Sequence, residues 1–322
     1  MATTLGVHPP SSILYPPVFL AGPTAVGKSA VALALAERIG GEIISVDSMQ
    51  VYRGLDIGTA KPAIAERARV PHHLVDICDL GETFDAAQFV RRARIAVEAI
   101  QRRGRKPVFC GGTGLYFTAL LEGLGEAPPA DKPLRAELEA TPPEQLVAEL
   151  QARDPGTFAI IDRQNPRRVI RAVEVIRLTG KKFSEQRAAW NSASSIRDQG
   201  SRIFCLTRVP DDLRRRIEGR VEDMFARGLV EETRHLLSQG LAANPNAMQA
   251  IGYRQVVEHL RGERGLPETV ELVKTRTRQF AKRQLSWFRR HGNCHWVELR
   301  ADESVAETLE RIAAAPAPPE RS

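Results

Sequence analysis

The residues best suited to chemistry in this chain lie near its start, in the segment FLAGPTAVGKS from Phe19 to Ser29. An apolar run ends there in a glycine-rich turn, and an alanine-rich helical pattern follows. This is the strand-to-helix context that the phosphate-cradling motif G-x-x-x-x-G-K-[ST] requires. The segment therefore predicts a diphosphate or triphosphate site formed by Gly22, Pro23, Thr24, Ala25, Val26, Gly27, Lys28 and Ser29.

The predicted loop would hold its ligand electrostatically. Gly22 and Gly27 permit backbone conformations in which successive N–H groups converge on phosphate oxygens. Lys28 adds a point charge, and the N-terminus of the following helix adds its partial positive charge. The hydroxyl of Ser29 is placed to ligate Mg²⁺, which we expect as the cofactor.

Two further candidate groups follow other strand-like runs. Asp47 lies at the end of the run EIISVDS, and Thr113 lies in the turn that ends the run KPVFCGGTG. Ligands of open α/β sheets bind at the carboxyl ends of the strands, so both side chains should lie near the phosphate loop. Asp47 is suited to three roles there: a general base, a magnesium ligand, or the cap of a helix or turn.

Arginines cluster in two predicted helices. Arg167, Arg168 and Arg171 lie near a helix start, where cations oppose the helix dipole, and this placement favours contact with an anion. Arg216 and Arg220 share one face of a later helix. They either pair with neighbouring glutamates or serve the phosphate site, where Arg220 would stabilise developing negative charge.

The order of strand and helix patterns predicts the scaffold for these groups. We expect an α/β fold, a P-loop NTPase-like parallel sheet flanked by helices, with an inserted all-helical domain. His72 to Asp79 is predicted as the third strand and Arg202 to Val209 as the fifth. The predicted domains are a disordered tail over 1–17, a core over 18–124 and 202–300, a helical insertion over 125–201, and a terminal helix with a disordered tail over 301–322.

Charge and cysteine content narrow the function classes. The net charge is +7, and no acidic residue lies between Glu271 and Glu298, where seven lysines and arginines occur. This segment indicates either a polyanionic partner or a solvated basic helix face. The four cysteines lack zinc or redox spacing, so we expect reduced, buried thiols in a cytoplasmic protein. No export signal or membrane-spanning segment is predicted.

Two reactions fit these features. The first is phosphoryl transfer from ATP to a small molecule, with Asp47 activating the acceptor hydroxyl. The basic segment exceeds what a small acceptor needs, and no second obvious magnesium carboxylate follows a strand in the style of a Walker B site. In the second reaction the diphosphate is a leaving group, stabilised by the loop, Lys28 and Mg²⁺, and a nucleic acid is the acceptor.

Several longer motifs resemble one family. They are GPTAVGKS at 22–29, DSMQVYRGLDIGTAKP at 47–62, GGTGLYF at 111–117, NPRRVIRAVEV at 165–175, IGYRQ at 251–255 and RQFAKRQLSWFR at 278–289. In this order and spacing they resemble the bacterial tRNA dimethylallyltransferases, also called tRNA isopentenyltransferases, from about Val18 to about Leu299. The eukaryotic relatives carry an additional C-terminal zinc finger; this sequence shows no zinc-finger pattern, as expected of a bacterial form.

The resemblance implies transfer of a dimethylallyl group from dimethylallyl diphosphate to N6 of adenine 37 in tRNAs that read codons beginning with U. It implies Asp47 as the base, and Lys28, Ser29 with Mg²⁺, Thr113 and Arg220 as the groups that hold the diphosphate. We expect a monomer that binds the anticodon stem-loop. The residues implied in tRNA contact are Asp47, Ser48, Met49, Gln50, Thr113, Arg135, Gln164, Asn165, Pro166, Arg167, Arg168, Gln249, Ala250, Ile251, Gly252, Tyr253, Arg254, Thr277, Arg278, Gln279, Phe280, Ala281, Lys282, Arg283 and Gln284.

Overall fold

A computed structural model of the chain describes residues 17–123, 128–188, 202–291 and 294–315. Apart from Pro17 and Ala315, the predicted disordered segments, 1–17 and the tail APAPPERS, lie outside the described residues. The chain divides into two compact units. One unit comprises Met1–Thr118 with Ile196–Ser322, and the other comprises Ala119–Ser195. None of the helices in the described ranges combines the length and the apolar character needed to cross a membrane.

A six-stranded sheet forms the centre of the first unit, and every pair of neighbouring strands is parallel. The strands are β1 (Val18–Ala21), β2 (Gly41–Val46), β3 (His72–His73), β4 (Lys106–Gly111), β5 (Arg202–Thr207) and β6 (His295–Glu298). Their order across the sheet is β3-β2-β4-β1-β5-β6. The predicted α/β fold with a parallel sheet is confirmed.

Helices cover both faces of the sheet, because short parallel strands are connected through crossover helices. In this unit they are α1 (Lys28–Ile39), α2 (Ile64–Arg69), α3 (Ala86–Arg102), α10 (Pro210–Ala226), α11 (Leu229–Ser238), α12 (Tyr253–Leu260), α13 (Leu266–His291) and α14 (Val305–Ala314). Helix α4 (Gly114–Leu121) continues past the division between the units. Leu20 and Phe204 of the sheet pack in one buried cluster with Val31 of α1 and Leu309 of α14.

The register of the strands brings their carboxyl ends together. Ala21 of β1 is level with Gly111 of β4 and with Cys205 of β5, and Val46 of β2 is level with Gly111. The residues that follow these four positions therefore share one edge of the sheet. This edge carries the phosphate loop, Asp47 and the turn that contains Thr113.

The third strand is much shorter than predicted. Only His72 and His73 pair with β2, and the predicted continuation to Asp79 is wrong. The backbone at Leu74 and Asp76 adopts positive φ angles of 62° and 56°, which end a strand. The Asp76 carboxylate instead accepts hydrogen bonds from Lys61 and Arg67, so local ion pairs favour a compact turn over an extended segment.

The regular elements among the described residues of the second unit are all helices. Its helices are α5 (Lys132–Ala140), α6 (Pro143–Arg153), α7 (Pro155–Ile160), α8 (Pro166–Thr179) and α9 (Phe183–Ala188). Leu138, Leu150 and Val173 belong to its own buried cluster. The Asp154 carboxylate accepts hydrogen bonds from Thr157 at the start of α7 and from Ser184 in α9, which ties these two short helices together.

Candidate functional site

The sheet edge holds a cavity that opens to solvent. Four of the predicted catalytic residues line it together: Lys28, Ser29, Asp47 and Arg220. The other lining residues are Thr24, Ala32, Ile43, Ser45, Gln50, Thr59, Ala60, Pro62, His72, Cys110, Gly111, Gly112, Phe280 and Gln284. The cavity thus has charged groups of both signs beside apolar ones such as Ala32 and Ile43.

The phosphate loop runs from Gly22 to Ser29, and two of its positions require glycine. Gly22 has a φ of 139°, and a Cβ atom there would lie 2.5 Å from the Leu206 carbonyl oxygen. Gly27 has a φ of 111° and caps α1, so the first turn of the helix follows directly. The N–H groups of a first helical turn lack helical partners, so this turn is suited to bind an anion at the cavity.

Lys28 is held over this loop. Its ammonium group donates a hydrogen bond to the Pro23 carbonyl oxygen at 2.5 Å. Burial lowers the pKa of Lys28 from 10.5 to about 8, while the nearby Asp47 carboxylate raises it. Lys28 forms no ion pair with a carboxylate among the described residues, so its charge is available to a bound anion.

Three arginines from the β5–α10 segment fix the loop from one side. Arg208 donates to the Val26 carbonyl oxygen at 2.8 Å, and Arg216 donates to that of Ala25 at 2.9 Å. Arg220 donates to the Thr24 hydroxyl at 3.2 Å, and burial lowers its pKa. The alternative of glutamate pairing for Arg216 and Arg220 is therefore wrong. Arg208 went unrecognised, although it directly follows β5 at the same sheet edge.

Asp47 forms a turn and also faces the cavity. Its Oδ1 accepts hydrogen bonds from the N–H groups of Met49 at 2.8 Å and Gln50 at 3.2 Å. The predicted turn role is thus present, and the second carboxylate oxygen accepts no hydrogen bond from the described residues. Thr113 does not line the cavity. Its hydroxyl accepts a hydrogen bond from the Ser48 N–H at 3.2 Å, which positions the turn that carries Asp47.

The loop after Asp47 is held by buried groups from α11 and α12. The hydroxyl of Tyr253 donates to Glu232 at 2.5 Å and accepts from the Gly58 N–H at 3.1 Å. A Cβ atom at Gly58 would lie 2.4 Å from the Tyr253 ring, so only glycine fits. Of the neighbouring positions implied in tRNA contact, Gln249 and Arg254 are exposed, Ile251 is half-buried, and Ala250 and Gly252 are buried.

Helix α13 presents cations that the fold does not neutralise. Lys274 pairs with Glu222 and Glu271, and Arg278 pairs with Glu218. In contrast, five exposed cations form no ion pair with a carboxylate of the described residues, and we call them the basic face: Arg276, Lys282, Arg283, Arg289 and Arg290. Thr277 bonds within the helix, Gln279 is exposed, Ala281 is buried, and Phe280 and Gln284 reach the cavity.

In the helical unit the implied residues differ in their surroundings. Gln164, Arg167 and Arg168 are exposed around the start of α8, and Asn165 caps that helix before Pro166. Arg135 instead forms an ion pair with the buried Glu174, and Arg171 pairs with the same carboxylate. The sequence predicts that Arg171 contacts an anion, but in the structure its guanidinium already pairs with the Glu174 carboxylate. None of the four cysteines forms a disulfide among the described residues; Cys78 and Cys205 are buried as predicted, whereas Cys110 and Cys294 are half-buried.

Comparisons with known proteins agree with this geometry. The family described as IPP transferase matches residues 50–291. The chain is 49% identical over 299 residues to the tRNA dimethylallyltransferase of Geobacter metallireducens, covering 91% of this chain and 96% of that protein. The solved structure of the Bacillus halodurans tRNA isopentenylpyrophosphate transferase is similar with a TM-score of 0.66 and 40% identity, covering 92% and 95% of the two chains. A eukaryotic dimethylallyltransferase captured acting on tRNA matches with a TM-score of 0.79 and 29% identity, covering 92% and 77%.

Proposed function

This chain belongs to the IPP transferase family, and we propose that its cavity binds dimethylallyl diphosphate and transfers the dimethylallyl group to N6 of adenine 37 in tRNA. Prenyl transfer to tRNA is the activity of the family. For this chain we propose the identity of the donor, the adenine that is modified, and the preference for tRNAs that read codons beginning with U.

The observation that carries the proposal is the pairing of an anion cradle with a single carboxylate. Lys28, Arg220 and the loop N–H groups offer positive charge to a departing diphosphate. Asp47 is the one carboxylate among the described residues that line the cavity. A kinase of the P-loop class uses a further carboxylate to hold its magnesium, so this cavity favours prenyl transfer over the kinase alternative.

The groups at the cavity account for each bond that forms or breaks and for the proton that is lost. The N6 atom attacks the allylic carbon, the new C–N bond forms, and the C–O bond to the diphosphate breaks. The N6 proton passes to the Asp47 carboxylate, because an exocyclic adenine amine is a weak nucleophile whose lone pair is conjugated into the ring. Lys28 and Arg220 then stabilise the negative charge that develops on the leaving diphosphate.

A magnesium ion fits this donor set. Mg²⁺ keeps several waters and binds through few protein oxygens together with substrate phosphates, so a dedicated cluster of ligands is not required. The described residues contain no such cluster, while the exposed Ser29 hydroxyl lies beside the cradle. Ser29 would hold the ion, which when bound neutralises charge on the diphosphate.

The tRNA would approach over the basic face of α13. A base in a stacked loop must be extruded to reach a cavity at a strand end, and single-stranded loop bases are the least costly to extrude. Ser48, Met49 and Gln50 adjoin Asp47 and would contact the extruded adenine. Arg167 and Arg168 of the helical unit are exposed and suited to phosphate contact.

Labelled donors provide the test. The protein is incubated with unmodified tRNA and either labelled dimethylallyl diphosphate or ATP labelled on its γ-phosphate. We expect label in tRNA from the prenyl donor alone, with release of diphosphate. Transfer of the γ-phosphate to any acceptor, without transfer of the prenyl group, would support the kinase and contradict the proposal.

A further inference from the structure

The side chain of Gln284 joins two loops of the cavity that are far apart in sequence. Its Oε1 accepts a hydrogen bond from the Thr24 N–H at 2.9 Å, and its Nε2 donates one to the Gly112 carbonyl oxygen at 2.9 Å. An N–H group can only donate and a carbonyl oxygen can only accept, so one orientation of the amide satisfies both partners. The residue is 8% exposed, which separates it from its exposed neighbours Lys282 and Arg283.

One end of this bridge fixes the phosphate loop. The Thr24 N–H is bound by Gln284, and the Thr24 hydroxyl accepts from Arg220. The next residue, Ala25, has a φ of 62°, and its carbonyl oxygen is held by Arg216. Gln284 therefore determines where the loop begins to curve around its ligand.

The other end fixes the turn that supports Asp47. A Cβ atom at Gly112 would lie 2.2 Å from the Gln284 Nε2, so the backbone packs directly against the amide. The following residue, Thr113, accepts the hydrogen bond from the Ser48 N–H, next to Asp47. A displacement of Gly112 would therefore move the turn that carries the carboxylate.

We propose that Gln284 is a positioning residue for prenyl transfer, which sets the placement of the diphosphate cradle relative to Asp47. The inference rests on the proposed function. Gln284 acts through Thr24 and Gly112, whose backbone groups take both polar ends of its amide. The resemblance implied tRNA contact for this position, whereas its hydrogen bonds point into the site.

The first variant is Gln284→Leu, which leaves the Thr24 N–H and the Gly112 carbonyl oxygen unpaired. Because a small misplacement of reacting groups is costly, we expect kcat to fall by about 10²-fold. Inorganic diphosphate, titrated by calorimetry, should bind about tenfold more weakly. Binding of an anticodon stem-loop RNA should change by no more than about twofold, since the basic face is intact.

The second variant, Gln284→Glu, gives a measurement that distinguishes a positioning role from a general loss of packing. An ionised carboxylate accepts from Thr24 but repels the Gly112 oxygen, whereas a protonated carboxyl both accepts and donates, as the amide does. The ratio of its kcat to that of the wild type should therefore rise as the pH falls from about 7.5 to about 5.5. Lys28, Asp47, His72, Cys110 and Arg220 line the same cavity in both proteins, so the ratio isolates the introduced carboxyl.

Lys282→Ala is the matched control on the same helix, and it should weaken RNA binding with little change in diphosphate binding. Two results would overturn the inference: a Gln284→Leu variant that loses RNA affinity but keeps kcat and diphosphate affinity, or a pH-independent ratio for Gln284→Glu. A wild-type protein that transfers no prenyl group would contradict the proposed function instead, so the two failures are distinguishable.

Discussion

Arginines in the two units of this protein have different partners. In the helical unit, Arg135 and Arg171 pair with the fully buried Glu174, and Arg177 pairs with Glu137 and Glu149. At the phosphate loop, Arg216 and Arg220 donate to a carbonyl oxygen and a hydroxyl, and form no ion pair with a carboxylate of the described residues. The first group is neutralised within the fold, and the second keeps its net charge.

This difference indicates which arginines serve a ligand. A partly buried cation that forms no close ion pair is unfavourable, and burial accordingly lowers the pKa of Arg220, although the nearby Asp47 carboxylate raises it. A bound diphosphate would remove that penalty, whereas Glu174 already removes it for Arg135 and Arg171. The partner of an arginine, rather than its position on a helix, thus distinguishes anion binding from stabilisation of the fold.

Among the variants that test this comparison of arginines, the largest effect is expected for Arg220→Gln. Loss of a charge directed at the leaving group should lower kcat/KM for the prenyl donor by about 10²–10³-fold. The melting temperature should change little, since the variant removes one hydrogen bond to Thr24. Steady-state kinetics and thermal unfolding check both. A variant with normal kinetics and a strongly lowered melting temperature would place Arg220 with the arginines of the helical unit.

Glu174→Gln should give the converse result. Removing the carboxylate leaves Arg135 and Arg171 without their counter-ion, and breaking a buried pair costs about 3 kcal/mol. Urea unfolding followed by circular dichroism would measure the loss. The KM for dimethylallyl diphosphate, measured well below the melting temperature, should remain near that of the wild type. An unchanged unfolding free energy would contradict the role assigned to these arginines.

Arg283→Glu tests the cations of the basic face. The reversal should weaken tRNA binding by about tenfold and lower the slope of log K against log salt by about 1, because a phosphate contact is lost. Affinity for the diphosphate should stay the same. Arg234→Glu makes the same charge change on α11, where the native residue pairs with Glu231, and should leave the slope unaltered. Equal salt slopes for the two variants would contradict the assignment of Arg283 to a phosphate contact.

The smallest effect concerns Asp154 of the helical unit. Burial alone would raise its pKa, but hydrogen bonds from Thr157 and Ser184 outweigh burial and lower the pKa from 3.8 to about 2. The ionised form is therefore favoured in the fold, so its stabilisation is complete above 3.8 and is lost as the pH falls towards 2. Asp154→Asn should cost about 1 kcal/mol at neutral pH and less at pH near 2. Hydrogen exchange of the α7 amides at both pH values checks this, and a difference independent of pH would contradict it.

The sequence predicts the parallel sheet and the main groups of the site because those signals are local. The phosphate motif, the carboxylate after β2 and the strand-to-helix order each lie within a short segment. The shortened β3 was missed because Lys61 and Arg67 reach the Asp76 carboxylate from outside the strand pattern. The inward bonds of Gln284 join residues 260 and 172 positions apart, which no local pattern contains.

A single-turnover measurement on Asp47→Asn tests the central claim most directly. The variant keeps an oxygen for the turn that Met49 and Gln50 form, but it removes the base. With enzyme in excess over tRNA and saturating donor, we predict a rate about 10²–10⁴-fold below that of the wild type, while tRNA and donor bind within a small factor. A normal transfer rate combined with weakened tRNA binding would contradict the account and leave Asp47 as a recognition residue.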